Sequence, residues 1–301
     1  MASDPNTRDP FEPAEEIEAH LESWAAAQRL PTNLTSAIRY SFLGAGKRLR
    51  PLLAWRCAEA VGASGRAGLD AGLAVELVHS FSLVHDDLPA MDNDDLRRGK
   101  PTLHIHAGEA MAVLAGDAML ALAFASIVER TADASLAVAL GRELAIGTSS
   151  MIAGQVYDTL GGLPEGLGAI DRVKLIHDNK TGALITASCR MGAMLGLASI
   201  ARPWQGAREH GAITRFADAM GLMFQVVDDL IDVEQTSEHT GKRTSKDQVA
   251  GKQTYPGAIG VEQSKAEVGH LLATAVEALT PLGSPADPLR VLARLLSVRT
   301  K

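Results

Sequence analysis

The sequence predicts an all-α protein, a single-domain bundle of about ten or more helices. Apolar residues recur three and four positions apart along nearly the whole chain, as at Leu136, Leu140 and Leu144. Aromatic residues make up only 4% of the sequence, β-branched runs are scarce, and abundant alanine and leucine favour closely packed helices. Hydrophobic residues reach 46%, which is enough for a large buried core and excludes a disordered chain.

Each helix is predicted from its apolar period and from the Gly, Pro or Ser residues at its ends. The predicted helices are 12–30, 34–43, 47–62, 68–90, 106–130, 134–160, 169–199, 206–236, 261–280 and 286–298. One domain is expected to cover 1–301, with about 1–11 as a flexible tail. The polar stretch Gln235–Pro256 is too long for an ordinary connection, so a functional or disordered loop is expected there.

Charge and cysteine content exclude several classes of protein. The net charge of −7 argues against nucleic-acid binding. Cys57 and Cys189 both lie in apolar surroundings, which indicates a reducing compartment and hence a cytoplasmic protein. No secretory signal begins the sequence. Met111–Val128 carries one charge over a membrane-spanning length, but Gly116 and Asp117 interrupt it, so a buried helix is expected rather than a membrane span.

A first acid cluster closes the predicted helix 68–90. The segment HDDLPAMDNDDLRRGKPT, 85–102, holds Asp86, Asp87 and Asp92, and His79 lies two turns before Asp86 on the same face. Carboxylates this close raise each other's pKa unless a cation neutralises them. Oxygen ligands of this kind suit Mg²⁺. For this cluster alone, a solvated acidic turn is the alternative.

A second acid cluster, FQVVDDLID, lies on a predicted buried helix. Asp228 and Asp232 are four residues apart, and Gln225 precedes Asp228 by three, so the three side chains share a face. Buried carboxylates without partners cost several kcal/mol. Two such clusters therefore predict one shared cation site between facing helices.

Basic residues complete the pattern. They are Lys47, Arg48 and Arg50 in GAGKRLRP, Arg97 and Arg98 after the first acid cluster, Lys180 beside Thr181, and Lys242 and Lys252 in the long loop. Arginine forks and lysine charges suit phosphate oxygens. Together with the aspartates, they predict a site in which Mg²⁺ bridges the protein to a diphosphate.

These motifs resemble those of the trans-isoprenyl diphosphate synthases of the polyprenyl synthetase family, in particular the bacterial farnesyl and geranylgeranyl type. The resemblance covers roughly 12–301 and rests on GKRLRP (46–51), 85–102, GDA (116–118), GQVYD (154–158), KTG (180–182) and FQVVDDLID (224–232). It implies the isoprenoid synthase fold, with helices around a central active-site cavity, and a homodimer that binds small-molecule diphosphates.

The resemblance also implies roles for individual residues. Asp86, Asp92, Asp228 and Asp232 match metal ligands for Mg²⁺, three ions per active site with substrate bound, and Mn²⁺ is expected to substitute. Lys47, Arg50, His79 and Arg98 match positions that bind isopentenyl diphosphate, the homoallylic substrate. Arg97, Lys180, Thr181, Gln225, Lys242 and Lys252 match those around the allylic diphosphate. The catalytic set is Asp86, Asp92, Asp228, Lys180 and Thr181. Arg48 receives no role, and the terminal SVRTK resembles a tail that closes over the homoallylic site.

The implied reaction is Mg²⁺-assisted ionisation of an allylic diphosphate, followed by attack of isopentenyl diphosphate on the cation. Chain length is expected to depend on Phe81 and Ser82, five and four residues before Asp86. An aromatic residue at that position, with the longer acid motif, matches the bacterial farnesyl pattern and predicts a C15 product. Geranylgeranyl diphosphate, C20, is the alternative.

Three alternative functions account for parts of this sequence pattern. A terpene cyclase would normally lack the second acid cluster and GKRLRP. A non-catalytic partner subunit of a heteromeric synthase usually loses one aspartate motif, and both are intact here. A membrane protein built on Met111–Val128 is the third alternative, which solubility without detergent would exclude.

Overall fold

The computed structural model describes residues 9–44, 46–239 and 253–299 of the 301-residue chain. Its helices are α1 (Ala14–Ala27), α2 (Thr32–Phe42), α3 (Leu49–Ala60), α4 (Leu69–Asp86), α5 (Leu103–Ala107), α6 (Glu109–Arg130), α7 (Ala134–Thr159), α8 (Ala169–His177), α9 (Ala183–Ser199), α10 (Arg208–His239), α11 (Tyr255–Ile259), α12 (Val261–Ala278) and α13 (Asp287–Ser297). The all-α prediction is confirmed.

One hairpin departs from the helical pattern. Strands β1 (Leu96–Arg97) and β2 (Lys100–Pro101) pair antiparallel just after the first acid cluster. The intervening turn has Arg98 and Gly99 at positive φ, a conformation that glycine adopts without steric cost. The hairpin is too short to show the alternation by which strands are recognised in a sequence.

Most predicted helix ends differ from the structure by a few residues, as where 68–90 ends at Asp86, and three differences matter for the site. The predicted helix 106–130 is divided at Gly108, whose φ of 86° separates α5 from α6. The predicted helix 169–199 is interrupted by a π-helical turn, Asp178–Gly182, between α8 and α9. Both ends of the loop predicted at Gln235–Pro256 are helical, because α10 continues to His239 and α11 begins at Tyr255. Lys242 and Lys252, assigned to the allylic diphosphate, lie outside the described residues.

Helix α9 lies at the centre of the fold and contacts α3, α4, α7 and α10. Small residues permit this close packing. A Cβ on Gly192 would lie 2.2 Å from the Ala54 carbonyl oxygen of α3, and one on Gly196 would lie 2.9 Å from the Ala58 Cα. Such packing between buried helices is what the alanine-rich composition predicts.

The chain before α1 is fixed to α3. The fully buried guanidinium of Arg56 donates to the Asp9 carbonyl at 2.9 Å and to the Pro10 carbonyl at 3.1 Å. Residues 9–11 of the predicted tail are therefore anchored, since a buried arginine requires these hydrogen bonds.

Candidate active site

The first acid cluster lies where α4 ends. Asp86 is the last residue of α4, and the chain then turns so that the Asp92 amide donates to the Asp86 carbonyl at 2.9 Å. Asp86 is half-buried and Asp92 is exposed. The turn thus places both predicted metal ligands at one helix end.

The surroundings of Asp86 disfavour the charged form of its carboxyl. Burial raises the pKa of its carboxyl to about 6, and the neighbouring Asp92 and Asp87 act in the same direction. Lys180 and Arg97 oppose the shift without cancelling it. A cation placed between these carboxylates would stabilise their charged forms.

Asp87, the middle aspartate, holds the hairpin. Arg97 Nε donates to Asp87 Oδ1 at 2.8 Å, and Arg97 Nη2 donates to the same oxygen at 2.6 Å. Burial acts to lower the pKa of Arg97, but the hydrogen bonds that Arg97 donates to the buried Asp87 outweigh burial and raise that pKa. Arg97, predicted to bind the allylic diphosphate, therefore already has a strong partner in Asp87. The ion pair uses Nε and Nη2 of Arg97 and does not involve Nη1.

The second acid cluster lies on α10. Gln225 Nε2 donates to Asp228 Oδ2 at 3.1 Å, so these side chains share a face as their spacing predicts. Arg299 donates to the other oxygen, Oδ1, and its guanidinium lies 3.9 Å from the Phe224 ring centroid. Burial raises the pKa of Asp228, although Arg299 opposes the shift. Asp232 is exposed one turn further along.

The described part of the C-terminal tail contacts the second acid cluster. Arg299 donates to Asp228 and also to the Phe224 carbonyl at 3.0 Å. Asp228 is a partly buried anion, which attracts an arginine. Thr300 and Lys301, at the end of the tail that was expected to close over the homoallylic site, lie outside the described residues.

Asp229 has a structural role that its neighbour Asp228 does not share. It is buried and accepts hydrogen bonds from His177 Nε2 and from the Tyr255 amide, each at 2.8 Å. The His177 and Tyr255 rings are nearly parallel, with centroids 6.0 Å apart. Asp229 thereby ties α10 both to the end of α8 and to the start of α11.

The π-helical turn between α8 and α9 carries Lys180 and Thr181. Lys180 Nζ donates to Asp158 Oδ2 at 2.5 Å. Gly154 lets the turn approach α7, since a Cβ there would lie 2.2 Å from the Lys180 amide nitrogen. Both Gly154 and Asp158 belong to GQVYD, so this motif holds the turn. Extra-residue turns of this kind occur often at functional sites.

This turn also connects the two acid clusters. The charge of Lys180 acts on Asp86 at the end of α4. On its other side the turn packs against α10, where a Cβ on Gly221 would lie 2.9 Å from the Gly182 Cα. The end of α4 and the helix that carries the second acid cluster therefore both adjoin one turn, which bears the two other predicted catalytic residues.

A cationic cluster forms near the start of α3 from three residues assigned to isopentenyl diphosphate, Arg50, His79 and Arg98. The fourth assigned residue, Lys47, is exposed just before that helix. Burial, and then the guanidinium groups of Arg50 and Arg98, hold the pKa of His79 well below its usual value. Burial and Arg98 also lower the pKa of Arg50, whose buried Nε has no hydrogen-bond partner within the described residues. Mutual repulsion of this kind favours binding of a polyanion.

The predicted chain-length residues lie on α4. Phe81 is 6% exposed, and its ring packs edge-to-face on His85 with centroids 5.7 Å apart. Gly116, of the GDA motif, accommodates His85, because a Cβ there would lie 2.1 Å from His85 Nε2. Ser82 is half-buried, and its hydroxyl donates to a carbonyl of its own helix at 3.0 Å. His85 and α6 therefore support the Phe81 ring.

Comparison with known proteins decides the family. Residues 31–280 match the polyprenyl synthetase family. The chain belongs to this family. It is therefore a trans-isoprenyl diphosphate synthase, as its motifs predict. The synthase is 43% identical over 273 residues to geranylgeranyl pyrophosphate synthase 4 of Arabidopsis thaliana, a match that covers 89% of the chain and 72% of that protein.

Solved structures share the fold of this synthase. A geranyltransferase from Legionella pneumophila is 30% identical with a TM-score of 0.81, covering 96% of the chain and 95% of its own. An FPP/GFPP synthase from Zymomonas mobilis is 32% identical with a TM-score of 0.81, covering 96% and 99% respectively. The isoprenoid synthase fold is thereby confirmed.

Mg²⁺ fits the acid clusters on chemical grounds. The predicted ligands are all carboxylates and offer only oxygen atoms: Asp86, Asp92, Asp228 and Asp232. Burial disfavours the charged form of Asp86, and the nearby Lys180 and Arg97 do not fully offset this effect. Within the described residues, no group of three or more acidic, histidine or cysteine side chains is arranged around one point as a closed metal cage. Mg²⁺ commonly uses one or two carboxylates and takes its other ligands from water and phosphate, which is the arrangement these separated aspartates allow.

Sequence reasoning missed four side chains that shape the site. Asp87, Asp158 and Arg299 hold Arg97, Lys180 and Asp228, which were predicted to act on substrate or metal. Asp229, the neighbour of Asp228, fixes α10 through His177. The signal for Asp158 was its place in GQVYD, a motif quoted without a role. The other three carry no local signal, since a paired aspartate and a terminal arginine look the same whether they bind protein or ligand.

Proposed function

We propose that this synthase condenses isopentenyl diphosphate with dimethylallyl or geranyl diphosphate and releases farnesyl diphosphate, C15. The observation that carries the proposal is the π-helical turn whose Lys180 acts on Asp86 and whose Gly182 packs against α10, the helix that bears the second acid cluster. A separate cationic cluster at the start of α3 supplies the second diphosphate site that a condensation requires.

Different groups of residues bind the diphosphates of the two substrates. Mg²⁺, when held by Asp86, Asp92, Asp228 and Asp232, supplies neutralising charge to the departing diphosphate. Lys180, oriented by Asp158, adds positive charge on the same side and assists ionisation of the allylic C–O bond. The double bond of isopentenyl diphosphate then attacks the cation, and the product loses a proton. This chemistry uses no side-chain nucleophile.

The cationic cluster at the start of α3 orients the attacking substrate, isopentenyl diphosphate. Arg50 and Arg98 offer guanidinium groups to its diphosphate, and bidentate contacts of this kind fix orientation as well as charge. His79 is neutral at pH 7 because its pKa is lowered, so it donates a hydrogen bond without adding to the repulsion around Arg50.

Phe81 supports a C15 product. Its ring is buried, and His85, itself seated against Gly116 of α6, supports it, so the ring is suited to form the floor of the chain pocket. A C20 product is the second candidate, because the Arabidopsis relative is named a geranylgeranyl pyrophosphate synthase. The Legionella and Zymomonas proteins are named a geranyltransferase and an FPP/GFPP synthase.

We also propose a cytoplasmic homodimer formed through α6 and α7. Both helices expose large apolar side chains, among them Val128 at 70% and Val138 at 74%, and Leu160, directly after α7, is 77% exposed. By length and composition alone, α6, α7 and the segment Gly65–Asp86 could each cross a membrane. Asp117 is exposed in the middle of α6, and a charge there would be costly in lipid. A second copy of the chain is therefore better suited than a membrane to cover the apolar faces of α6 and α7.

Product analysis tests the proposed activity. Purified synthase is incubated with isopentenyl diphosphate, geranyl diphosphate and Mg²⁺, and the products are separated by chain length after dephosphorylation. Farnesol as the main alcohol supports the proposal, geranylgeraniol supports the C20 candidate, and the absence of any condensation product contradicts both. Sedimentation without detergent at micromolar concentration is expected to show a dimer, and recovery only with membranes would contradict that assignment.

A further inference from the structure

Arg48 stands between two residues assigned to isopentenyl diphosphate, Lys47 and Arg50, yet has no assigned role. It is buried, with 8% exposure, and its backbone is left-handed, with φ 47° and ψ 36°. Residues other than glycine rarely adopt this conformation, and it persists where the surroundings enforce it. Its carbonyl accepts from the Leu52 amide at 3.0 Å, so this turn starts α3.

Two carboxylates enforce the position of Arg48. Glu18 of α1 accepts from Arg48 Nε at 2.8 Å and from Nη2 at 2.9 Å, in the bidentate geometry that favours arginine. Glu76 of α4 accepts from Nη1 at 2.9 Å, and the Gly44 carbonyl accepts from Nη2 at 3.2 Å. Four of the five N–H groups of Arg48 are therefore used by the protein.

Glu76 is also a counter-charge for two of the substrate-binding cations, Arg50 and Arg98. It is 4% exposed, and its charge raises the pKa values of Arg50 and Arg98, although burial lowers both overall. A buried carboxylate requires a partner. If Arg48 did not bind Glu76, the charge of Glu76, which already acts on Arg50, would draw that guanidinium to it, and Arg50 would then be lost to the diphosphate.

We propose that Arg48 is a positioning residue for the homoallylic diphosphate. It binds Glu76 and so keeps Arg50 from pairing with that carboxylate, which leaves the Arg50 guanidinium to bind isopentenyl diphosphate. The inference rests on the proposed function of Arg50 and requires no contact between Arg48 and the substrate. Glu18 holds the Arg48 guanidinium from the opposite side. The left-handed backbone at Arg48 sets the direction of the chain on either side of it.

The test compares Arg48→Gln with a double variant that also carries Glu76→Gln. Arg48→Gln releases the Glu76 charge, and the KM for isopentenyl diphosphate is expected to rise at least about tenfold, ~1.4 kcal/mol. The KM for geranyl diphosphate is expected to change less than about threefold. In the double variant the released charge is gone, so most of the lost affinity for isopentenyl diphosphate returns.

Arg56→Gln is the matched control. Arg56 is a buried arginine of the same helix α3 that donates to Glu59 at 2.5 Å and has no place in the site. Its replacement is expected to lower the melting temperature without a selective change in either KM. An equal rise in both KM values for Arg48→Gln, or a double variant no better than the single one, would overturn the inference.

Two further measurements keep the inference testable. If Arg48→Gln does not fold, Glu76→Gln alone decides: a KM for isopentenyl diphosphate that is unchanged or lower supports the inference, and a tenfold rise contradicts it. Calorimetric titration with isopentenyl diphosphate separates this inference from the proposed function. Weaker binding to Arg48→Gln, in a chain whose wild type makes no product, would uphold the inference and refute the condensation. Product formation with binding independent of Arg48 would do the reverse.

Discussion

Replacing Asp86 by asparagine is expected to stabilise the metal-free protein while abolishing turnover. The pKa of Asp86 is raised from 3.8 to about 6, chiefly by burial, which corresponds to about 3 kcal/mol at 1.36 kcal/mol per pH unit. Solvent screening at a half-buried side chain reduces this to about 1–2 kcal/mol. Asparagine keeps the shape of the side chain and carries no charge, so this cost disappears.

The sign of the effect depends on pH. Because the folded state binds the Asp86 proton more tightly than the unfolded state, the carboxyl costs no stability below about pH 4. The cost grows as the pH rises towards about 6, where the folded carboxyl ionises, and it is complete above that value. The advantage of Asp86→Asn over wild type is therefore expected at pH 7.5 and is expected to shrink at pH 4.5.

Thermal unfolding in the presence of a chelator measures this difference. A gain of about 1–2 kcal/mol corresponds to a rise of a few °C in Tm for a domain of this size. Asp95→Asn, an exposed change in the same loop, is the control and is expected to stay within about 0.5 kcal/mol of wild type. A Tm for Asp86→Asn that is unchanged at pH 7.5, or raised equally at both pH values, would refute the reasoning.

Three other substitutions probe separate parts of the site. Phe81→Ala removes the proposed pocket floor, so chromatography is expected to show products longer than C15; an unchanged C15 product would place the floor on another helix. Arg299→Gln frees Asp228 from its protein cation, so the Mg²⁺ concentration for half-maximal activity is expected to fall severalfold, and an unchanged or higher value would show that Arg299 does not compete there. Asp158→Asn weakens the hold on Lys180, so kcat is expected to fall about tenfold or more with little change in the KM for isopentenyl diphosphate; a wild-type kcat would exclude an orienting role.

The sequence was sufficient for the helices because their apolar faces repeat over many turns. It could not reveal the π-helical turn at Lys180, since one extra residue barely disturbs a period of 3.6. The hairpin from Leu96 to Pro101 was missed for the opposite reason, because two-residue strands contain too little pattern to recognise. Gly108 could have been suspected as a helix break, as its positive φ requires a residue without a side chain.

The candidate site was predictable where chemistry is local and was not where partners are distant in sequence. Gln225 and Asp228 are one turn apart, so their shared face followed from spacing. In the aspartate pair at 228 and 229, spacing alone could not show that Asp229 contacts His177, 52 residues away. The Arg299 contact with Asp228 spans 71 residues, and only the folded chain brings such charges together.

The turnover of Asp228→Asn at saturating Mg²⁺ tests most directly whether both acid clusters serve one reaction. Isopentenyl and geranyl diphosphate are supplied together, and product formation is measured alongside helical content by circular dichroism. Loss of a group that stabilises transition-state charge typically costs a factor of about 10² or more, and a loss of at least that size with unchanged helicity is expected. Turnover close to that of wild type would contradict the proposal that the aspartates of α4 and α10 act together.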